Sequence, residues 1–427
     1  MTGLLVGLFG GLLALGFPIF MVLGMTGLIL FWASGQPGIG VAQKIVDELN
    51  SQTLLAVPFF VIAATMMERG GIARALIEAA STWVGRVRGG LGLVCVVACM
   101  IFAAMCGSSV ATAMAMGTVL VPSMLRLKYD RHFAAGVVGA SGTLGILIPP
   151  SLAMVVYGVL ADESVPRLFL AGVVPGLIQG GLIALWVLYY SHKRNYPKDT
   201  TSQQPGEFWR KNLRALPALS IPIIVLGGIY GGVATVTEAA ALSAVVAIII
   251  SVFVYRETKP RQLLPVLAEA TQNSAAIMII IAMALVFGHW ITESGIAPWL
   301  VSTLQGMNLE AWHFLLIINI LLLIMGMFLE VFSVLLIALP VIIPLLKPLG
   351  IDPVHFGIVV TINMELALLT PPVGMNLFVL STITRAPMAE VIRGTMPFIV
   401  LMTLLLILVT YVPAISLWLP NLVFGAS

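Results

Sequence analysis

Two carboxylates, Glu330 and Glu365, sit inside long apolar stretches, and neither segment carries a Lys or Arg close by in sequence. A charge at membrane depth is costly. Each side chain therefore has to bind a cation, carry a proton or meet a basic group from elsewhere in the chain. Cation coordination is the preferred reading for Glu330. For Glu365 a structural hydrogen-bonding role stands level with a functional one. Around these carboxylates, and again in the first half, lie four runs rich in small and turn-forming residues: 106–112, 141–151, 326–333 and 363–376. Gly107 relaxes the backbone and Ser108 or Ser109 can cap a helix that follows. Gly142 and Gly145 permit unwinding, and a proline at a helix start sacrifices no intrahelical bond. Unwound carbonyls are hard oxygen ligands suited to Na+, whereas helix N-termini favour a carboxylate. One such element can thus serve a cation and an organic anion together. The plainer reading is that each break is a kink satisfied by Ser and Thr hydroxyls; four breaks in two matching pairs weigh against it.

The pairing comes from one interval. Pro122, Pro149 and Pro150 return as Pro344, Pro371 and Pro372, each 222 positions later (371−149). Asp130, Gly172 and Pro175 return at the same offset as Asp352, Gly394 and Pro397, and Gly71-Ile72-Ala73 returns 224 positions on as Gly295-Ile296-Ala297. Duplicated halves with interrupted apolar helices are the pattern of a secondary transporter with its site near the bilayer midplane. Composition agrees: of 427 residues 60% are hydrophobic and 9% charged, whereas a soluble domain carries roughly 25% charged residues. The fold class is an all-α polytopic membrane protein, with length for about ten to twelve crossings of ~20 residues. Residues 1–34 lack a basic leading region and read as a retained membrane segment. Cys95, Cys99 and Cys106 share one apolar stretch and read as packing residues. No phosphate-binding loop is visible, so the chain offers no ATP-driven step of its own. Nothing points to a nucleic-acid partner.

Charge distribution orients the segments. The most polar stretch, 191–214, holds Lys193, Arg194, Lys198, Arg210, Lys211 and Arg214, and is assigned to the cytoplasm as a linker between a first repeat, 1–190, and a second, 215–427. Tracing outward from it gives helices at about 217–231, 236–254 and 265–291, then a re-entrant hairpin at 311–345 with its tip at Glu330, a broken helix at 354–382 and a last span from 395 to 413. The first half then has a hairpin at 89–125, tip Gly107-Ser108-Ser109, and a broken helix at 132–160 interrupted from Ser141 to Pro150. Basic flanks bring hairpin 1 in from the cytoplasm and hairpin 2 from outside, so the repeats are expected to be inverted. The stretch 70–88 alternates Ile72, Leu76, Trp83 and Val84 with Arg74, Glu78, Arg86 and Arg88, as an interfacial bracing helix would; the alternative is an extension of the preceding crossing.

At these motifs the chain resembles the large membrane subunit of the tripartite ATP-independent periplasmic (TRAP) transporters. The matching stretches are Pro58-Phe59-Phe60, the run from Gly107 to Ala113, the run from Gly145 to Ser151, the run from Thr235 to Ala241 and the run from Thr370 to Leu377. The resemblance implies a sodium-coupled importer of organic acid anions (C4-dicarboxylates, sialic acid or similar), with an elevator mechanism. Its partners would be a small four-helix membrane subunit and a periplasmic substrate-binding protein, in a bacterial inner membrane. By the same resemblance one sodium site would use Ser108, Ser109, Ser141, Gly142 and Gly145, and the other Glu330, Ser333, Ala367, Thr370 and Gly374. Substrate would meet Ser109, Pro150, Ser151, Thr370, Pro372 and Asn376. One departure is plain: the family usually has Asp where this chain has Glu330.

Three other readings compete. A stand-alone dicarboxylate or citrate carrier would show Ser-Asn-Thr at both hairpin tips, and neither tip has it. An intramembrane hydrolase would need Ser with Lys or His, an Asp pair, or a His-Glu metal motif at midplane depth. A scaffold or insertion factor would have no use for four matched breaks.

Overall fold

Long apolar runs have no backbone partner in lipid but themselves, so they become helices, and the described chain is helical throughout its ordered elements. The computed structural model describes residues 2–35, 43, 45–46, 49–197, 206–296, 298–299, 302 and 310–425. Among these residues nine helical stretches are long and apolar enough to cross a membrane.

The first half contains α1 (Thr2–Ala14), α2 (Ile19–Ala33), α3 (Ala56–Arg69), α4 (Ile72–Val84), α5 (Gly90–Cys106), α6 (Ser109–Arg126), α7 (Arg131–Leu147), α8 (Leu152–Leu160) and α9 (Val165–Lys193). The second contains α10 (Glu207–Tyr230), α11 (Val236–Ile249), α12 (Pro260–Glu293), α13 (Ala311–Phe328), α14 (Val331–Leu346), α15 (Pro353–Leu369), α16 (Met375–Thr384), α17 (Met388–Tyr411) and α18 (Ala414–Phe424). The interval seen in the sequence governs these bounds. Helices α7 and α15 begin 222 positions apart and end 222 positions apart, and α6 and α14 begin at that same offset. The Pro149–Pro150 and Pro371–Pro372 bonds are both cis.

The stretches 89–125 and 311–345 each hold a helix pair, α5–α6 and α13–α14. The broken helices differ from expectation. The first interruption spans 148–151, not Ser141 to Pro150, because α7 stays helical through Ser141, Gly142 and Gly145. The second spans 370–374, and Asn363 to Leu369 are helical. The reason is burial. Every residue from Phe133 to Leu147 and from Val354 to Leu369 is buried, so unwinding there would leave backbone groups with no water to receive them. The linker is also shorter than 191–214, since α9 runs to Lys193 and α10 starts at Glu207. Residues 198–205 and most of the second amphipathic stretch, 296–306, lie outside the described residues.

Two groups of helices emerge from the packing. Helix α7 is surrounded by α5, α6, α9, α15, α16 and α17, so the first hairpin and both broken helices pack around one axis, while α13 packs on α15 and α14 on α8 and α12. Helices α2, α3, α10, α11 and α12 pack on one another as a second group. Helix α4 joins them. It bends 64° from α3 and packs against α10 on one side and α5 on the other, so within 70–88 the stretch Ile72–Val84 is a helix of its own direction. Ile72 and Leu76 are buried as expected, but Trp83 lies largely exposed and donates from its indole N–H to Asn212 Oδ1 at 2.8 Å. Ion pairs of Arg74 with Glu257 and of Arg214 with Glu78 complete the brace.

Candidate cation and substrate site

Hairpin 1 reaches its tip because α5 ends on Gly107, whose φ of 64° is left-handed, and α6 begins on Ser108 as N-cap. The tip rests on the first interruption: a Cβ at Gly107 would lie 2.9 Å from the Pro150 carbonyl oxygen. Its other face rests on α7. A Cβ at Gly145 would lie 2.5 Å from the Ser108 carbonyl oxygen and 2.7 Å from Thr112 Oγ1, and one at Gly142 would lie 2.9 Å from the Ala113 methyl. Gly142 and Gly145 therefore act through close approach, not through unwinding. The Ser108 carbonyl also accepts from Thr112 Oγ1 at 2.7 Å. Ser141, one turn before Gly145, is buried with its hydroxyl oxygen unpartnered.

Across the tip stands Asn376 of the second half, fully buried, its Nδ2 donating to Ser109 Oγ at 2.7 Å while its Oδ1 has no partner. An unpaired buried amide oxygen is an acceptor, suited to a cation more than to a carboxylate. The sequence set thus gathers Ser108, Ser109, Gly142 and Gly145 around one tip, with Asn376 joined to it.

The second tip is built differently. Glu330 stands at the N-cap of α14 without a side-chain capping bond, and Ser333 follows it, buried. Gly374 N–H donates to the Met327 carbonyl at 3.0 Å, tying this tip to the second interruption. The Thr370 and Leu368 carbonyl oxygens converge on Gly374. Ala367 is pressed against Gly326. Thr370 turns its hydroxyl back to the Leu366 carbonyl at 2.6 Å.

Between the two helix groups opens a cavity of about 500 Å³, whose wall includes Ser108, Ser109, Glu330, Val331 and Met375 from the tips and α16, and Glu68, Arg69, Glu269 and Asn273 from α3 and α12. Pro150, Ser151, Thr370, Pro372 and Asn376 are not on that wall. Ser151 is committed elsewhere, donating to the Ile146 carbonyl at 2.6 Å and capping α8. The charged pair Arg69–Glu269 was missed in sequence; the signal was polar Glu269 and Asn273, one turn apart in an apolar helix. A second missed group lies deeper, where Gln179 Nε2 donates to Thr143 Oγ1 at 3.2 Å. The fully buried Glu365 carboxylate faces Gln179 without closing a hydrogen bond. Glu365 and Thr143 are themselves 222 positions apart.

The family model described as the DctM component of the tripartite ATP-independent periplasmic transporter matches residues 6–415. The chain belongs to the TRAP large-permease family. It is 42% identical over 400 residues to the C4-dicarboxylate TRAP transporter large permease protein DctM of Pseudomonas aeruginosa, covering 93% of each chain. It is 38% identical over 415 residues to the isethionate TRAP transporter permease protein DctMQ of Oleidesulfovibrio alaskensis, covering 97% of this chain and 65% of that one. In fold it is similar to the solved YdaH transporter of Alcanivorax borkumensis, with a TM-score of 0.64 at 13% identity over 89% of this chain and 88% of that one. This TRAP permease is thus a multi-pass membrane protein and a transporter component, not an enzyme.

Proposed function

We propose that the chain is the permease subunit of a sodium-coupled secondary importer of organic acid anions in a bacterial inner membrane, with C4-dicarboxylates as the first candidates. The observation that carries the reading is the close approach of the first turn of α6 to α7, Ser108 to Gly145 and Ala113 to Gly142, beside a cavity of about 500 Å³. The donor set there is hydroxyl, carbonyl and amide oxygen, including two buried atoms without partners, Ser141 Oγ and Asn376 Oδ1. Hard oxygen donors fit Na+. A second ion would draw on Glu330 and the carbonyls of Thr370 and Leu368. The bound cation would supply positive charge beside the cavity. The residues of the chain would orient the tips and exclude water around an entering carboxylate. C4-dicarboxylates enter from the name of the relative that is 42% identical.

The repeats are inverted about an axis in the membrane plane, which lets the two halves exchange conformations. The hairpins and broken helices move together as an elevator past the scaffold of α2, α3 and α10–α12, with α4 as the arm between them. Import requires a small four-helix membrane subunit and a periplasmic binding protein that delivers the acid. Proteoliposomes holding this chain, its small subunit and its binding protein are expected to accumulate labelled acid under an inward sodium gradient, and those lacking either partner are not. Uptake of free acid by the single chain would replace this reading with the stand-alone carrier.

A further inference from the structure

The wall of the cavity carries three carboxylates, Glu68, Glu269 and Glu330, against one guanidinium, Arg69. That balance is wrong for an organic anion unless positive charge is available at the point of contact. Bound cations at the tips would supply part of it. On the scaffold side the supply among the described wall residues is Arg69, at the last position of α3. Its guanidinium is held by a carboxylate, that of Glu269 on α12. Both side chains are about half exposed, at 50% and 42%. The pair faces the cavity, and ion pairs exposed to this degree are worth about 1 kcal/mol or less in water. An exposed Arg already gripping a carboxylate at the wall of a cavity for carboxylates can exchange one partner for another at small cost. The planar guanidinium offers two parallel N–H donors to either.

We propose that Arg69 is the carboxylate-recognising residue of the scaffold, with Glu269 holding its place until the substrate's carboxylate displaces it. The proposal rests on the organic-acid reading above and adds the residue that reads the acid. It also assigns Glu269 a competing role: it sets how tightly the acid is held on this side, so that release is not arrested by Arg69.

The test uses the complete complex in proteoliposomes with labelled succinate or, if succinate is not taken up, the acid extracted from the denatured binding protein. Arg69→Gln is expected to raise the half-saturating acid concentration by about tenfold, equivalent to one lost tight contact, while the sodium half-saturation stays where it was. Arg69→Lys is expected to recover part of the loss. Glu269→Gln, which frees the guanidinium, is expected to lower the half-saturating concentration. The double variant Arg69→Gln/Glu269→Gln is expected to stay as weak as Arg69→Gln alone. Recovery of the double variant to wild type would show a structural ion pair and overturn the proposal, as would unchanged half-saturation in Arg69→Gln or weakened binding in Glu269→Gln. Acid-induced thermal stabilisation of the detergent-purified complex reads the same order without transport. If the wild type binds acid but moves none under a sodium gradient, the sodium-coupling reading fails while Arg69 is still judged by binding.

Discussion

Asn376, in the first turn of α16, donates a 2.7 Å hydrogen bond to Ser109, in the first turn of α6, so a residue of the second half holds the hairpin tip of the first. Truncating Asn376 to Leu removes both the donor and the free Oδ1. The expected outcome is a fall in sodium-dependent uptake of about tenfold or more and a flattened sodium response, at a stability cost of roughly 1–3 kcal/mol for the buried hydroxyl left behind. Asn376→Asp keeps the contact, because the Ser109 hydroxyl can turn to donate, and is expected to shift the half-saturating sodium concentration instead. Uptake measured against sodium concentration checks both; an unchanged sodium curve in the Leu variant would remove Asn376 from the cation site.

Gly145 makes a sharper prediction because the obstruction is backbone. A methyl there meets the Ser108 carbonyl oxygen at 2.5 Å and its carbonyl carbon at 2.8 Å, closer than real side chains approach, and the buried tip has nowhere to yield. Gly145→Val is expected to leave the protein in the membrane and abolish uptake. Gly145→Ala is expected to weaken sodium affinity. Membrane content by immunoblot beside initial uptake rates checks the pair; wild-type rates in Gly145→Val would mean that the tip does not close on α7 during transport.

The parts of this fold that were legible were those written in backbone chemistry. Proline and glycine recur at one interval because two halves need the same interruptions, so Pro149-Pro150 and Pro371-Pro372 gave the positions of both breaks. Their extent was not legible. Gly142 and Gly145 carry the composition of an unwound segment, yet buried backbone in a helix core keeps its intrahelical bonds, and the glycines are used for approach. Thr370 and Ser151 enter through the family resemblance, and sequence did not show that their hydroxyls donate to the carbonyls of Leu366 and Ile146. Arg69 and Glu269 meet across 200 positions of sequence, and no local spacing links them; only the bend after α3 and its packing on α12 brings the guanidinium to the cavity.

Glu163 gives a pH-dependent prediction outside the membrane-spanning segments. Burial in the turn between α8 and α9 and, next, the Asp352 carboxylate push its carboxyl above the ordinary 4.5, with Lys347 and Arg167 opposing. A group raised in the folded state contributes stability that is complete below its unfolded value and is lost as pH climbs through the raised one. Glu163→Gln, which cannot ionise, is therefore expected to melt higher than wild type near neutral pH, with the gap closing as pH falls toward about 4. Thermal melts of the detergent-purified protein across that range check the sign. A gap independent of pH would show that Glu163 acts through packing and not through charge.

Glu365 lies on α15, in contact with α9. It is fully buried, faces Gln179, and neither carboxylate oxygen has a hydrogen-bond partner. Among the described residues no Lys or Arg is buried. An unpaired charge at this depth costs several kcal/mol, whereas a neutral group of the same shape can share a hydrogen bond with the free Gln179 Oε1. Glu365→Gln is the discriminating change. If Glu365 only packs α15 against α9, the amide variant is expected to melt at or above the wild-type temperature and to transport normally. Glu365→Leu, which leaves Gln179 buried and half-paired, is expected to lose roughly 1–3 kcal/mol. If Glu365 instead takes up a cation or proton during the cycle, Glu365→Gln is expected to fold as well as wild type and to lose coupled uptake. Melting temperature and sodium-driven uptake of the same two variants, read together, assign the residue to one role.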